Sequence, residues 1–521
     1  MQAKCIQVGM GLLLMCVMTA CGSSGDKGGP GPVVDDDAGV SEGPDAGRPD
    51  AGAPDSGTPD AGPVDAGADG GVVEAGPPCE KTHGVCAGAK RAKVDGVYES
   101  VCTALSYGED YEGTETRCDG LDNDCDGVTD PSSTSRVAAL SGSVHGGLVS
   151  SLRTETGVWV AVLDSASEAR ILRLDSNLVL QGSSGVPYPW TRTGGAAGMP
   201  RSARLVRTEE GPALYYATTD GVSPPLRALL VPLDGEGAPR TDDGGALVEY
   251  PVLDREFDSS ESFVAASPTG ERVVVLWRAG SEQAPPLQVM GKVTDARGQV
   301  LVAPKVLFES TSGGTPYPAS VLWLRNGEVL VAMGESQSGV TQEVVRVRRL
   351  DEALEQVGEE RVFTASESPM PLLVDRGEAA GEPLVSPVLV MRAREAPDFR
   401  ARIQVTSSLF EGGMPATWTE EPEGFVPWYG AHGGDGVVQL SWLSKVYDQG
   451  EGGASRFWGR LWAQEPGVAA VERTPALEPM RLTAEAQWVL MEKVAPRRMA
   501  AMYMVSTDEG LFLDAVRYCT Q

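Results

Sequence analysis

Histidine is nearly absent from this 521-residue chain, in which His83, His145 and His432 are the full complement. So few imidazoles leave a multi-histidine metal centre or a serine triad little material. No Gly-x-Ser-x-Gly, His-Glu-x-x-His or phosphate-loop sequence occurs either. Basic residues are also short, 43 against 73 acidic, for a formal charge of −30. Nucleic acid requires an excess of Lys and Arg to neutralise phosphates, so nucleic-acid binding is excluded. After residue 20 there is no run of about eighteen apolar residues, the length a membrane-spanning helix needs.

What is present begins with an address. Lys4 precedes an apolar run at 8–20, too short to cross about 30 Å of hydrocarbon but suited to the core of a signal peptide. It ends Val17-Met18-Thr19-Ala20-Cys21-Gly22, which resembles the lipobox of bacterial lipoproteins. The resemblance implies cleavage before Cys21 and lipidation of that cysteine. Two or three acyl chains, at about 0.8 kcal/mol per buried CH₂, hold a protein on a membrane where one chain does not. Gly22 stands where many inner-membrane lipoproteins carry Asp, so the expected location is exported and outer-membrane, on the periplasmic face or the cell surface.

Residues 21–78 form the next segment, rich in Gly, Pro, Asp and Ala, with Pro44-Asp45-Ala46-Gly47, Pro49-Asp50-Ala51-Gly52 and Pro59-Asp60-Ala61-Gly62 as recurring units. Its apolar area is too small to offset about 1–2 kcal/mol of backbone entropy per ordered residue. A disordered, extended tether is the expectation, stiffened by proline and by Asp repulsion.

Cysteine is concentrated just beyond the tether. With Cys5 and Cys16 in the signal and Cys21 lipidated, six remain: Cys79, Cys86, Cys102, Cys118, Cys125 and Cys519. An even number in an oxidising compartment predicts three disulfides among fifteen pairings. Five local thiols need one distant partner, so Cys519 is expected to bond back to a small module at 79–133. Zinc on Cys79, His83 and Cys86 is the alternative, disfavoured because these thiols are expected to be oxidised.

One acidic loop carries recognisable chemistry. Asp122, Asp124, Asp126, Gly127 and Asp130 fall at positions 1, 3, 5, 6 and 9 of a calcium loop, and Val128 offers its carbonyl from position 7. Alternate carboxylates converge on one ion while the glycine permits the turn, and a hard-oxygen set suits Ca²⁺. Ser133 occupies position 12, where a bidentate Glu is usual. The last ligand is then Asp119 or water, and weak extracellular-type affinity is expected. The stretch Glu115-Thr116-Arg117-Cys118-Asp119-Gly120-Leu121-Asp122-Asn123-Asp124-Cys125-Asp126-Gly127 resembles the metal-binding motif named for the surface protein MopE. Gly84-Val85-Cys86-Ala87-Gly88, Tyr107-Gly108 and Tyr111-Glu112 resemble the region that precedes it. The loop is also similar to thrombospondin type 3 calcium repeats. The resemblance covers residues 79–131 and implies an extracellular metal-binding module rather than an activity. Copper, which the namesake brings to mind, would need His, Met or thiolate donors, and only His83 is near.

From 134 to 521 short β-rich runs recur. A near-continuously apolar run is followed by an alternating one, as in Val158-Trp159-Val160-Ala161-Val162-Leu163 and then Arg170-Ile171-Leu172-Arg173-Leu174-Asp175. Seven such copies at spacings of roughly 45 to 65 residues predict an all-β, seven-bladed β-propeller; tandem β-sandwiches are the rival. The apolar run is expected as an inner strand, packed on both faces between neighbouring blades. The last copy lacks an outer strand, so 136–140 is expected to complete that blade and close the ring. A short helical turn is expected at 351–356. Trp159, Trp277, Trp323, Trp442, Trp458, Trp462 and Trp488 sit at strand positions and read as blade core, which a large aromatic stabilises most when buried. Ser506-Thr507-Asp508-Glu509-Gly510 faintly resembles a sialidase Asp-box but occurs once and reads as a turn.

Three functions fit: a membrane-anchored display platform binding a surface protein or glycan, a secreted hydrolase of glycans or peptides, and a structural envelope component. The absence of catalytic signatures favours the first. The lipobox makes a direct prediction: Cys21→Ser abolishes palmitate labelling and moves the protein from the membrane pellet to the soluble fraction, whereas retained labelling would refute the assignment.

Overall fold

The computed structural model describes residues 76–129, 133–140, 148–163, 168–187, 202–219, 226–254, 262–281, 284–310, 315–336, 342–366, 371–376, 387–395, 400–407, 409–410, 416–420, 425–434, 437–446, 454–463, 471–472, 480–481, 485–495, 498–507 and 509–519. The signal segment, Cys21 and the tether up to residue 75 lie outside them, as do Asp130, His145 and Asp508. Residues 74–521 group as one compact unit, in which no helix is long and apolar enough to cross a membrane among the described residues.

Each apolar-then-alternating pair in the sequence is an antiparallel pair of strands. They are Gly157–Leu163 with Glu168–Asp175, Gly211–Thr219 with Leu226–Pro232, Arg272–Ser281 with Ala284–Asp295, and Val329–Ser336 with Gln342–Leu350. Val388–Glu395 with Arg400–Ser407, Val437–Val446 with Ala454–Ala463, and Arg498–Thr507 with Gly510–Cys519 continue the series. A strand added on either side makes six sheets of four strands each and one, at 425–481, of five. The first strands of these sheets touch in a closed circuit: Leu148–Arg153, Ser202–Thr208, Ser262–Ala266, Thr315–Trp323, Leu372–Val374, Phe425–Gly434, Glu485–Ala495, and back to the first. Two sheets packed face to face would not give such a circuit. The fold is an all-β propeller.

The apolar run expected on the inner side of each blade is its second strand, with one further strand between it and the axis. A second strand is paired along both edges and packed on both faces, so it must be apolar throughout. In Gly157–Leu163, Val158, Val160 and Val162 face Ala500, Met502 and Leu513 of the blade before, while Trp159 and Ala161 face Leu205 and Tyr216 of the blade after. Each of these larger side chains contributes roughly 1.5–3 kcal/mol through burial. The innermost strands have one free edge along the axis and tolerate polar pins. Ser150 Oγ accepts from the Leu205 amide at 3.0 Å, and Ser320 Oγ from the Leu373 amide at 3.0 Å, each bond tying one innermost strand to the next.

The hairpins between third and fourth strands share one device. Asp175, Asp234, Asp295 and Asp351 each accept, through one carboxylate oxygen, the amides two and four residues on, at 2.8–2.9 Å. The residue three positions after each Asp has positive φ: Leu178, Gly237, Gly298 and Leu354. Glycine adopts this conformation without steric cost. The two leucines adopt it because each side chain is buried in the cluster beside its hairpin. The aspartate that ends each of these alternating runs is therefore a turn signal, and 351–356 is one of these turns rather than a helix.

Ring closure joins distant parts of the chain. Ser133–Leu140 pairs antiparallel with Gly510–Cys519, from Ser133 opposite Arg517 to Leu140 opposite Leu511, and forms the fourth strand of the last sheet. Arg498 and Arg517 then donate to the side chain and carbonyl of Asn177, in the turn of the neighbouring blade. A disulfide from Cys118 to Cys519 spans 401 residues at the same place. In the chain-entropy description a loop of that length is worth on the order of 5 kcal/mol to the folded state. Cys519→Ser is expected to lower the free energy of unfolding by up to about that amount, read from the urea midpoint of the lipid-free protein, with the two disulfides at 79–125 still formed. An unchanged midpoint would show that strand pairing alone secures the ring.

Candidate metal site in the cysteine-rich module

The segment 76–129 holds little regular structure. It contains the 3₁₀ turn Gly84–Cys86, a hairpin of Lys93–Val94 with Val97–Tyr98, and the single-turn helix Ala104–Tyr107, whose Leu105 amide donates to Thr103 Oγ1 at 3.2 Å. Too few apolar residues are available for an ordinary core, so sulfur fills it: Cys79, Cys86, Cys102 and Cys125 are buried around Tyr107. The bonds are Cys79–Cys102 and Cys86–Cys125, besides Cys118–Cys519. Cys79 and Cys86 belong to different disulfides, which removes the zinc alternative with His83.

The acidic loop is shaped by its own backbone. Asp122 is buried, and its two carboxylate oxygens accept the amides of Asp126 at 3.1 Å and Gly127 at 3.0 Å. Gly127, with φ of +95°, turns its amide back to make that bond. Gly84 explains why a glycine opens the upstream Gly-Val-Cys element. It has φ of +51°, and a Cβ there would lie 2.1 Å from the Asp122 carbonyl oxygen. The Val85 amide donates to that same oxygen, and Cys86 fastens Cys125, which itself holds φ of +60°. The upstream pieces thus form a cradle. Glu112 donates its amide to the Asn123 carbonyl and, with Asp110 and Asp119, surrounds Arg117. Burial alone would raise the Glu112 carboxyl, but hydrogen bonds from Thr116 and the Arg117 charge outweigh it and leave the group below its ordinary range.

The expected ligands are only partly brought together. Carboxylate oxygens of Asp122, Asp124 and Glu115 lie within 4.8 Å of one another. Asp126 is exposed, and its Oδ1 accepts the Val128 amide at 2.8 Å in a local turn. Val128 is likewise exposed, and Asp119 accepts from the Leu121 amide and from Asn123 Nδ2. Asp130 lies outside the described residues. Glu115 enters from before Cys118, so a template that starts counting at Asp122 misses it. The only sequence signal for it is its place at the head of the MopE-type stretch.

Whether these residues suit Ca²⁺ is a matter of donor chemistry. All donors are hard oxygens, the set calcium takes. Three carboxylates this close repel one another unless a cation lies among them. Asn123 is fully buried and leaves Oδ1 without a hydrogen-bond partner. A buried carbonyl oxygen left that way is costly. The three carboxylates Glu115, Asp122 and Asp124 are a donor set that fits the ion.

Other residues singled out from sequence behave as structure. Trp159, Trp277 and Trp323 are buried in the blades, while the side chains of Trp442, Trp458, Trp462 and Trp488 lie outside the described set. His432 is paired with buried Glu492 at 3.1 Å, both on innermost strands of adjacent sheets. Nothing in the sequence pointed to that pair.

Calcium titration of the lipid-free protein is expected to show binding at sub-millimolar to millimolar concentration, with Glu115→Gln and Asp122→Asn each weakening it about tenfold and Asp126→Asn changing it little. Equal loss from all three would restore the wider ligand set expected from sequence.

No family model and no curated protein matches the sequence. Among solved structures the chain is similar to Raptor of Chaetomium thermophilum, with 10% identity and a TM-score of 0.43, over 74% of this chain but only 28% of that one. It is also similar to the polysaccharide lyase Uly1, with 10% identity and a TM-score of 0.45, over 73% of this chain and 91% of the lyase. The Dos1 propeller gives 10% identity and a TM-score of 0.37 over 70% and 76%. These likenesses speak to the fold alone.

Proposed function

We propose that this protein is a lipoprotein of the outer membrane or cell surface that displays its propeller as a binding or scaffold platform. In this reading the calcium-type module stiffens the junction between tether and platform. The five-stranded sheet counts as a blade, which makes the platform seven-bladed.

The observation that carries the proposal is where the module meets the ring. Gly510–Cys519 ends, and Ser133–Leu140 begins, at the edge of the propeller that also bears the tight hairpins. On that face neighbouring turns are stitched together: the Glu209 amide donates to the Gly270 carbonyl at 2.9 Å, Arg297 pairs with Glu210 at 2.5 Å, and Arg272 pairs with Glu352 at 2.6 Å. Three disulfides belong with an oxidising, exported location. A junction pinned at Cys118–Cys519 and crowded with carboxylates next to the pin is one that a divalent cation would rigidify.

The test is capture from envelope extract by lipid-free protein, with and without chelator. The reading expects a defined envelope component to be retained in calcium and reduced several-fold by chelator. Turnover of a glycan or peptide by the pure protein would favour a hydrolase instead, and retention of nothing under either condition would favour a purely structural component.

A further inference from the structure

In a chain where acidic residues outnumber basic ones by 73 to 43, a partly buried guanidinium with no carboxylate beside it among the described residues stands out. Arg204 is such a group. It lies on the innermost strand Ser202–Thr208, directly opposite Tyr215 of the next strand. The Tyr215 hydroxyl crosses to the neighbouring blade and donates to Ser262 Oγ at 2.7 Å. Ser262 in turn stands opposite Trp277. Four polar-tipped residues therefore run in sequence across one junction between blades, near the axial end of both innermost strands.

The free hydrogen-bonding capacity at this junction is of one kind. No N–H of Arg204 meets an acceptor and no acid forms an ion pair with it among the described residues; its one contact of note is the Phe263 ring, 4.9 Å away. Trp277 is 1% exposed, and its indole N–H is buried without a partner. Arg and Trp only donate. Burial holds the Arg204 guanidinium below its ordinary value despite the opposing influence of Tyr215, and the same burial pushes the Tyr215 phenol up, so it stays a neutral donor committed to Ser262. Phe263 offers its face to the cation, which fixes the plane of the fork. A planar fork on an aromatic floor matches the two oxygens of a carboxylate. Arg204 as a residue is half-buried, so part of it remains in reach of solvent.

We propose that Arg204, with Trp277 and the Tyr215–Ser262 pair around it, is a recognition site for a ligand carboxylate at the axial junction of the sheets at 202–254 and 262–309. The proposal names the ligand chemistry that the display platform takes, and rests on that reading only for its biological use. The site would stand or fall by itself even if envelope capture failed.

The experiment is thermal unfolding of the lipid-free protein in sodium glucuronate and in sodium acetate, against sodium chloride at equal ionic strength. A saturable rise in Tm with glucuronate is expected in the parent protein, absent in Arg204→Gln and shifted at least threefold to higher concentration in Arg204→Lys and Trp277→Phe. A matching rise with acetate would show that the carboxylate suffices; a rise with glucuronate only would show that the sugar is read as well. Without added anion, Arg204→Gln should melt close to the parent, because the cation it removes loses only its contact with the Phe263 ring. The proposal is overturned if the parent shows no rise, if Arg204→Gln shows the same rise, or if Arg204→Gln melts several degrees lower without ligand, which would make Arg204 a structural residue.

Discussion

The pairing of Ser133–Leu140 with Gly510–Cys519 is the contact on which the rest of the molecule depends. A ring of sheets without it would end in an open edge at one side and an orphan strand at the other, and open edges invite pairing with other chains. Closure costs the ordering of nearly the whole chain, because the partners are separated by some 370 residues or more in sequence, and loop-closure entropy is met before any contact between them is gained. The chain meets that cost three times at one place: with backbone hydrogen bonds, with Arg498 and Arg517 reaching Asn177, and with the Cys118–Cys519 bond. The clustering means that the cysteine-rich module is not an appendage to the propeller but part of its clasp.

Around the ring, order is built from small repeated devices. The second strands are apolar on both faces because each must satisfy two neighbouring blades. The third strands end in an aspartate that folds the next turn with one carboxylate oxygen. Where glycine is missing from the fourth position of that turn, a buried leucine holds the strained conformation, as at Leu178 and Leu354. These turns gather on one face, where ion pairs such as Arg297–Glu210 and Arg272–Glu352 link one blade to the next. Exposed pairs of this kind contribute little singly, about 0–1 kcal/mol each. Their value lies in fixing which turn sits beside which.

The acidic module and the axial arginine are electrostatic opposites. In the module, carboxylates of Glu115, Asp122 and Asp124 converge. Between the sheets at 202–254 and 262–309, Arg204 and Trp277 present donors only.

Periodicity favoured the propeller over tandem sandwiches, because a strand buried on both faces leaves an apolar signature that composition cannot hide, and the lone strand before the first copy could be matched to the gap in the last. The same local reasoning put the apolar strand on the inner side of each blade but gave no account of the strand between it and the axis, since a strand with a free edge tolerates polar residues and leaves little pattern. Sequence also marked the acidic loop and the count of cysteines, both local properties. It could not choose among fifteen disulfide pairings, nor find Glu115 as the third carboxylate, nor single out Arg204 among many arginines. Those depend on which residues separate strands and blades bring within a few ångströms of one another, and only the closed ring decides that.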